Sequence, residues 1–247
     1  MGKQERITPR ILLKSSSMVF RWNGLLYALL LFAFTARSSA AVRVFNEGVP
    51  GESSAEVDAR LDAALKRYAP QYVVIFVGMN DAVNDKKFLP PETTAEHVAA
   101  MIHRSQAVGS GVVLVSVHEP DVVRLLQRHK AEVYGNIPPA ERIRQLDLIL
   151  ERTAKQNHAS LADFHASLIK VGGPTMEWST DGVHLTVKGY ALLARTVRSS
   201  LPKHMTDDAS VLCIGDSLTY GIGVRPAGGT TESDQTYPAV LQRFLNH

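Results

Sequence analysis

From residue 42 onward, short runs of consecutive apolar residues alternate with longer stretches in which apolar positions recur every three or four residues. The runs predict strands at VRVF (42–45), YVVIFVG (72–78), GVVLVSV (111–117), a weaker ASLADF (159–164) and VLCI (211–214). The recurring patterns predict helices at 54–69, with Val57, Leu61, Leu65 and Tyr68 on one face, and at 91–107, with Val98, Met101 and Ile102 inward. Further helices follow at 139–156, at 186–201 with Val187, Tyr190, Ala194 and Val197 on a face, and at 237–246 with Pro238 in the first turn. Residues 118–137 show no clear period.

Strands that are apolar on consecutive residues are buried on both faces. Alternation of strand and helix then implies parallel strands joined by crossover helices. The expected fold class is α/β, a single three-layer α/β/α sandwich around a five-stranded parallel sheet. There is no internal repeat. Residues 202–210, around MTDDAS, read as a linker between a 41–201 part and a 211–247 part of one domain.

Composition narrows the classes. At 45% hydrophobic and 21% charged residues, the chain fits neither disorder, collagen nor coiled coil. The formal charge of +3 is carried by the first forty residues, where six Lys and Arg stand against Glu5. The rest is slightly acidic, so it lacks the basic footprint of a nucleic-acid binder. Those basic residues precede the apolar run GLLYALLLFAFTA (24–36) and then RSSAAV, the layout of a secretory signal peptide. Cleavage is expected after Ala40, with Ala41 the alternative and Met18 an alternative start. The run falls short of the about 20 residues of a membrane span. A secreted or periplasmic protein without a stable membrane span is expected, membrane-anchored if the signal stays uncleaved. The single cysteine, Cys213, lies in an apolar run and reads as a packed core thiol. No HExxH or paired Cys/His spacing occurs, so neither metal nor cofactor is expected.

In open parallel sheets ligands bind beyond the carboxyl ends of the strands. Ser217 follows VLCI and Gly-Asp, where a tight turn would expose its hydroxyl. A serine hydroxyl needs an adjacent base. His184 is the candidate, and Asp181, three residues earlier, could hold its tautomer. The oxyanion of a tetrahedral intermediate needs preorganised donors. Gly51 can bring a backbone N–H close, Asn80 offers an amide, and Ser217 N–H would complete the hole.

The blocks GDSL (215–218), GVPGES (48–53), GMND (78–81) and DGVH (181–184) together resemble the SGNH/GDSL hydrolase family, over nearly all of residues 42–247. The resemblance implies a flavodoxin-like sandwich and cofactor-free ester hydrolysis through an acyl-enzyme. It puts Ser217 as nucleophile, His184 as base, Asp181 as its partner, and Gly51 and Asn80 as oxyanion donors. One departure is large: the family's serine block opens the domain, whereas here the order is Gly51, Asn80, Asp181, His184, Ser217. Moving residues 210–247 ahead of residue 42 restores the family order, which points to a circular permutation. The alternatives are a fragment of a tandem array and a tail that docks into a neighbouring chain.

The expected substrate is a small-molecule, lipid or glycan ester. A glycan O-acetylesterase or acyltransferase using the same site, or an inactive binding domain, is the alternative. Acyl length, alcohol and oligomeric state leave no signature in the sequence. His118, Trp178 and Tyr220 are candidates for the pocket, each with a packing role as the alternative. Asp216 reads as orienting the turn, and Asp81 as a cap or turn residue. His97, His103, His129 and His158 read as helix-surface residues, and His165 has no partner identifiable from sequence. GGTTESD (228–234) reads as a loop beside the site.

Overall fold

Five parallel strands, β1 (Arg43–Gly48), β2 (Tyr72–Phe76), β3 (Gly111–Val115), β4 (Ser160–Ala162) and β5 (Ser210–Gly215), form one sheet in the order β1-β5-β2-β3-β4. The structure is a computed structural model, and it describes residues 41–225 and 233–247. The segment expected to be a signal peptide, 1–40, and most of the GGTTESD loop lie outside the described residues.

The last strand in sequence sits between the first two. Val211 pairs with Val44 on one side and Tyr72 on the other, and Gly215 with Gly48 and Phe76. Having neighbours on both edges and helices on both faces, β5 is buried at every residue, which is why VLCI reads as uninterrupted apolar sequence. Cys213 is fully buried in it.

The helices are α1 (Ser54–Tyr68), α2 (Met79–Val83), α3 (Pro91–Ala107), α4 (Val122–Leu125), α5 (Pro139–Gln156), α6 (Phe164–Lys170), α7 (Val187–Ser200), α8 (Ser217–Tyr220) and α9 (Tyr237–Leu245). α1 packs on α3 and α3 on α5, while α9 packs on α7 and α7 on α6, giving two helical layers. Their ends carry the expected punctuation. Ser53 and Glu56 form a capping box at α1, and proline opens α3 and α5.

The predicted inward residues of α1 and α3 are buried, except that Tyr68 is half-buried. In α7 the face holds Tyr190, Ala194 and Val197, but Val187 is 47% exposed. It is the first helical residue, ahead of the point where the helix reaches the sheet. The sequence pattern does not predict the helices α2, α4, α6 and α8. β4 shrinks to three residues because the backbone after Ala162 turns into α6 at Asp163, whose side chain accepts from Ala166 N.

β1 is an edge strand, and α9 covers its open side. Gln242 Oε1 accepts from Val44 N at 2.9 Å, and Asn246 brackets Val42. These side chains satisfy edge groups that would otherwise stand open to pairing.

Candidate active site

Ser217 is the first residue of α8, two residues past the end of β5. The turn fits because position 215 has no side chain: a Cβ there would lie 2.1 Å from Phe76 O. Asp216 caps α8, accepting from Leu218 N at 2.9 Å. The serine is 7% exposed and lies against the loop between α6 and α7.

That loop is folded around Asp181 and Ser179. Asp181 Oδ1 accepts from Val183 N at 3.0 Å and His184 N at 2.8 Å. Ser179 Oγ accepts from Gly182 N at 2.9 Å and donates to His184 O at 2.8 Å. The imidazole is thereby held on edge: Nδ1 lies 2.8 Å from Asp181 Oδ2 and Nε2 lies 3.0 Å from Ser217 Oγ. With Nδ1–H donated to the carboxylate, Nε2 carries the lone pair and accepts from the serine hydroxyl. Burial pushes the Asp181 carboxyl up, but the His184 ring and the two backbone N–H groups outweigh it and hold the group well below the usual carboxylate range.

Gly51 and Asn80 come from the loops after β1 and β2. Gly51 adopts φ +82°, open to glycine and strained for other residues. Arg60 ties this corner down, donating to Glu52 Oε2 at 2.7 Å, Glu47 O at 2.9 Å and Gly215 O at 3.0 Å. Asn80 Nδ2 donates to Glu52 O at 2.9 Å and to Asp216 Oδ2 at 3.2 Å, so its amide is aimed by the Gly51 loop and the serine turn together. Burial raises the Asp216 carboxyl to about 7.

Gly51, Asn80, His184 and Ser217 line one cavity of about 290 Å³. Its other walls are mostly apolar, from Pro50, Met79, Val83, Leu125, Val183 and Ile222. The structure thus brings together five residues from four separate loops. His118, Trp178 and Tyr220 do not line the cavity. His118 is fully buried beneath it, with Nε2 2.9 Å from Val183 O, and burial holds its pKa down near about 4. Trp178 packs against the core, and its carbonyl accepts from Thr186 N. Tyr220 carries the Arg225 guanidinium over its ring at 4.1 Å.

Three groups have roles that sequence reading missed. Arg128 and His129 line the cavity from the segment without a period, and His129, expected on a helix surface, lies past the end of α4 instead. Asp81 is a buried carboxylate that accepts from Ser54 N and Thr94 Oγ1, each at 3.0 Å, and so joins α1 to α3. His165 pairs with Asp147 on α5, which also accepts from Val117 N at 2.7 Å. Among the described residues no three His, Cys, Asp or Glu side chains are grouped so as to hold a metal ion, and no helix is long and apolar enough to cross a membrane.

The chain is similar to known proteins. The model of the GDSL-like lipase/acylhydrolase family matches residues 17–192. Esterase TesA of Pseudomonas aeruginosa is 30% identical over 111 residues, which are 44% of this chain and 53% of TesA, so the chain spans about half the length of that relative. A crystal structure of TesA aligns with TM-score 0.51 and 26% identity over 73% of this chain and 86% of TesA. An acetyl xylan esterase from Geobacillus stearothermophilus shares the fold, with TM-score 0.55 and 18% identity over 74% of this chain and 81% of the other. With the family's model matching well over half of its residues, the chain belongs to the GDSL-like lipase/acylhydrolase family.

Proposed function

We propose that the protein is a serine esterase that cleaves carboxylic esters through an acyl-enzyme. The observation that carries this reading is the unbroken chain from Ser217 Oγ through the His184 ring to Asp181 Oδ2, with contacts of 3.0 and 2.8 Å. Ser217 Oγ attacks the ester carbonyl while His184 Nε2 takes the serine proton. Asp181 holds the ring in the required tautomer and offsets the imidazolium charge. The negative oxygen of the tetrahedral intermediate is met by the N–H groups of Gly51 and Ser217, and by the Asn80 amide as its longer bond to Asp216 Oδ2, 3.2 Å, is exchanged for the oxyanion. On collapse the carbon–oxygen bond to the alcohol breaks, and His184 returns the proton to that oxygen. Water then repeats the sequence on the acyl-serine, releasing the acid and free Ser217.

The cavity volume of about 290 Å³ lies at the low end for small-molecule sites. A fluorophosphonate bonds to a nucleophilic serine activated in this way. Labelling located at Ser217, with turnover of a chromogenic acetyl ester abolished by Ser217→Ala, is the expected result; labelling elsewhere or undiminished turnover refutes the reading.

We also infer that the domain, 41–247, is circularly permuted and exported. If β5 is counted first, the sheet order β1-β5-β2-β3-β4 becomes 2-1-3-4-5, the flavodoxin-like order, with Ser217 and Asn80 on either side of its switch point. Residues 202–209 then form the added connection between α7 and β5. Export rests on the charge and apolarity of residues 1–40, and N-terminal sequencing of the secreted product should begin at Ala41.

A further inference from the structure

The Asp181–His184 loop is gripped by a segment that none of the four motif blocks contains. Residues 118–129 run from the end of β3 through α4 and meet that loop at four places. His118 Nε2 donates to Val183 O at 2.9 Å, Asp121 N to Gly182 O at 2.8 Å and Arg124 Nη1 to Ser179 O at 2.8 Å. These three hold backbone. The fourth holds the carboxylate: Arg128 Nη1 stands 2.7 Å from Asp181 Oδ2, the same oxygen that His184 Nδ1 reaches at 2.8 Å. Arg128 Nη2 also donates to Asp181 O at 3.4 Å, and the side chain forms part of the cavity wall.

We propose that Arg128 is a positioning residue of the ester-cleaving site, fixing Asp181 against His184 and setting the pH range in which His184 acts as a base. The inference rests on the catalytic reading above. The guanidinium offsets part of the carboxylate charge that would favour a proton on the imidazole. It also places a positive charge one residue's contact away from the ring. Both effects make a second positive charge there less favourable, so the base stays free to more acidic pH. Partial exposure moderates the effect, since the side chains of Arg128 and Asp181 are 40% and 32% exposed.

Other groups face the ring as well. Asp181 comes from its own loop, Ser217 and the buried Asp216 from the start of α8, and His118 from the end of β3. His129 lines the same cavity and pairs with Asp85 at 3.1 Å. Replacing Arg128 removes none of these groups, so a displaced limb reports on the guanidinium and on the hold it keeps on Asp181.

The test uses the full chain with Arg128→Met and Arg128→Lys. Two rates are followed from acid to neutral pH: Ser217 labelling by a fluorophosphonate, and kcat/KM for a chromogenic acetyl ester. Arg128→Met should move the acid limb of both rates to higher pH, and Arg128→Lys should leave it near the wild-type position. A merely structural arginine would lower both rates equally at every pH without moving the limb. Coincident limbs for wild type and Arg128→Met, or equal displacement by Met and Lys, overturn the proposal. Should Arg128→Met not fold, Arg128→Gln, which also lacks the charge, takes its place, and an unmoved limb in that variant overturns the proposal. A wild-type protein with no label on Ser217 overturns the catalytic reading instead, and this inference with it.

Discussion

Val42 and Asn246, 204 residues apart, clasp each other through two hydrogen bonds. Val42 N donates to Asn246 Oδ1 at 2.9 Å, and Asn246 Nδ2 donates to Val42 O at 3.0 Å. The end of the last helix therefore sits beside the first strand, where a chain in the family's order would run directly from one to the other. Joining His247 to Val42 with a short linker, and opening the chain within 202–209, should give a folded protein with the same Ser217 labelling rate. Loss of folding in that rearranged chain would count against the permutation. Asn246→Ala, read by denaturant unfolding, should cost about 1 kcal/mol, because the edge groups it frees can turn to water.

Asp181 gives one oxygen to two backbone N–H groups and the other to His184. Asp181→Asn offers an amide where His184 Nδ1–H needs an acceptor, or flips and loses the backbone contacts. In either orientation the tautomer that leaves Nε2 free is disfavoured. Turnover should fall on the order of 10²–10⁴-fold with little change in KM. A loss confined to KM would assign Asp181 to substrate binding.

Asn80 is aimed by two acceptors, Glu52 O and Asp216 Oδ2. Its nitrogen lies between the two loops that carry Gly51 and Ser217. Asn80→Ala should lower kcat by about 10²–10³ and also lower the melting temperature, because Glu52 O and the buried Asp216 Oδ2 lose a donor. Asn80→Asp should be worse than alanine, since it puts a carboxylate where the oxyanion would form. Equal rates for the two variants would place Asn80 away from the reacting carbonyl.

The strands were legible because burial on both faces leaves no polar residue in phase with the pleat, as Val73, Val74 and Ile75 show in β2. Long helices were legible from their buried stripes, such as Ile143, Leu146 and Leu150 in α5. The one-turn helices α2 and α8 are too short to display a period, and both exist because loops fold back at the carboxyl end of the sheet. Ser217, Asn80 and Gly51 could be found because each follows a strand. Arg128 could not, for its place depends on how an irregular segment lies across the Asp181 loop. The same holds for His165 and Asp147, which meet only where α5 lies beside the first turn of α6.

Two buried groups should tilt stability with pH in opposite senses. His118 donates Nε2–H to Val183 O, and its Nδ1 meets no hydrogen-bond partner among the described residues. Burial lowers its pKa to about 4 from about 6.5 in the unfolded chain. Its neutral form therefore contributes stability above pH 6.5, and that contribution is lost as pH falls toward 4. Asp216 is the reverse. Burial raises it to about 7 from an unfolded value of about 3.9, so its contribution is present at acid pH and is lost as pH rises through 7. Between about pH 4 and 6.5 the two slopes, each on the order of 1.4 kcal/mol per pH unit at most, largely cancel. Asp216→Asn keeps a cap for Leu218 N at some constant cost and does not titrate, so its stability should rise with pH across that window. His118→Gln also does not titrate, and its stability should fall with pH up to about 7. Denaturant midpoints measured across the window read these slopes independently of any constant loss, and three parallel curves would mean that neither group is held as the structure places it.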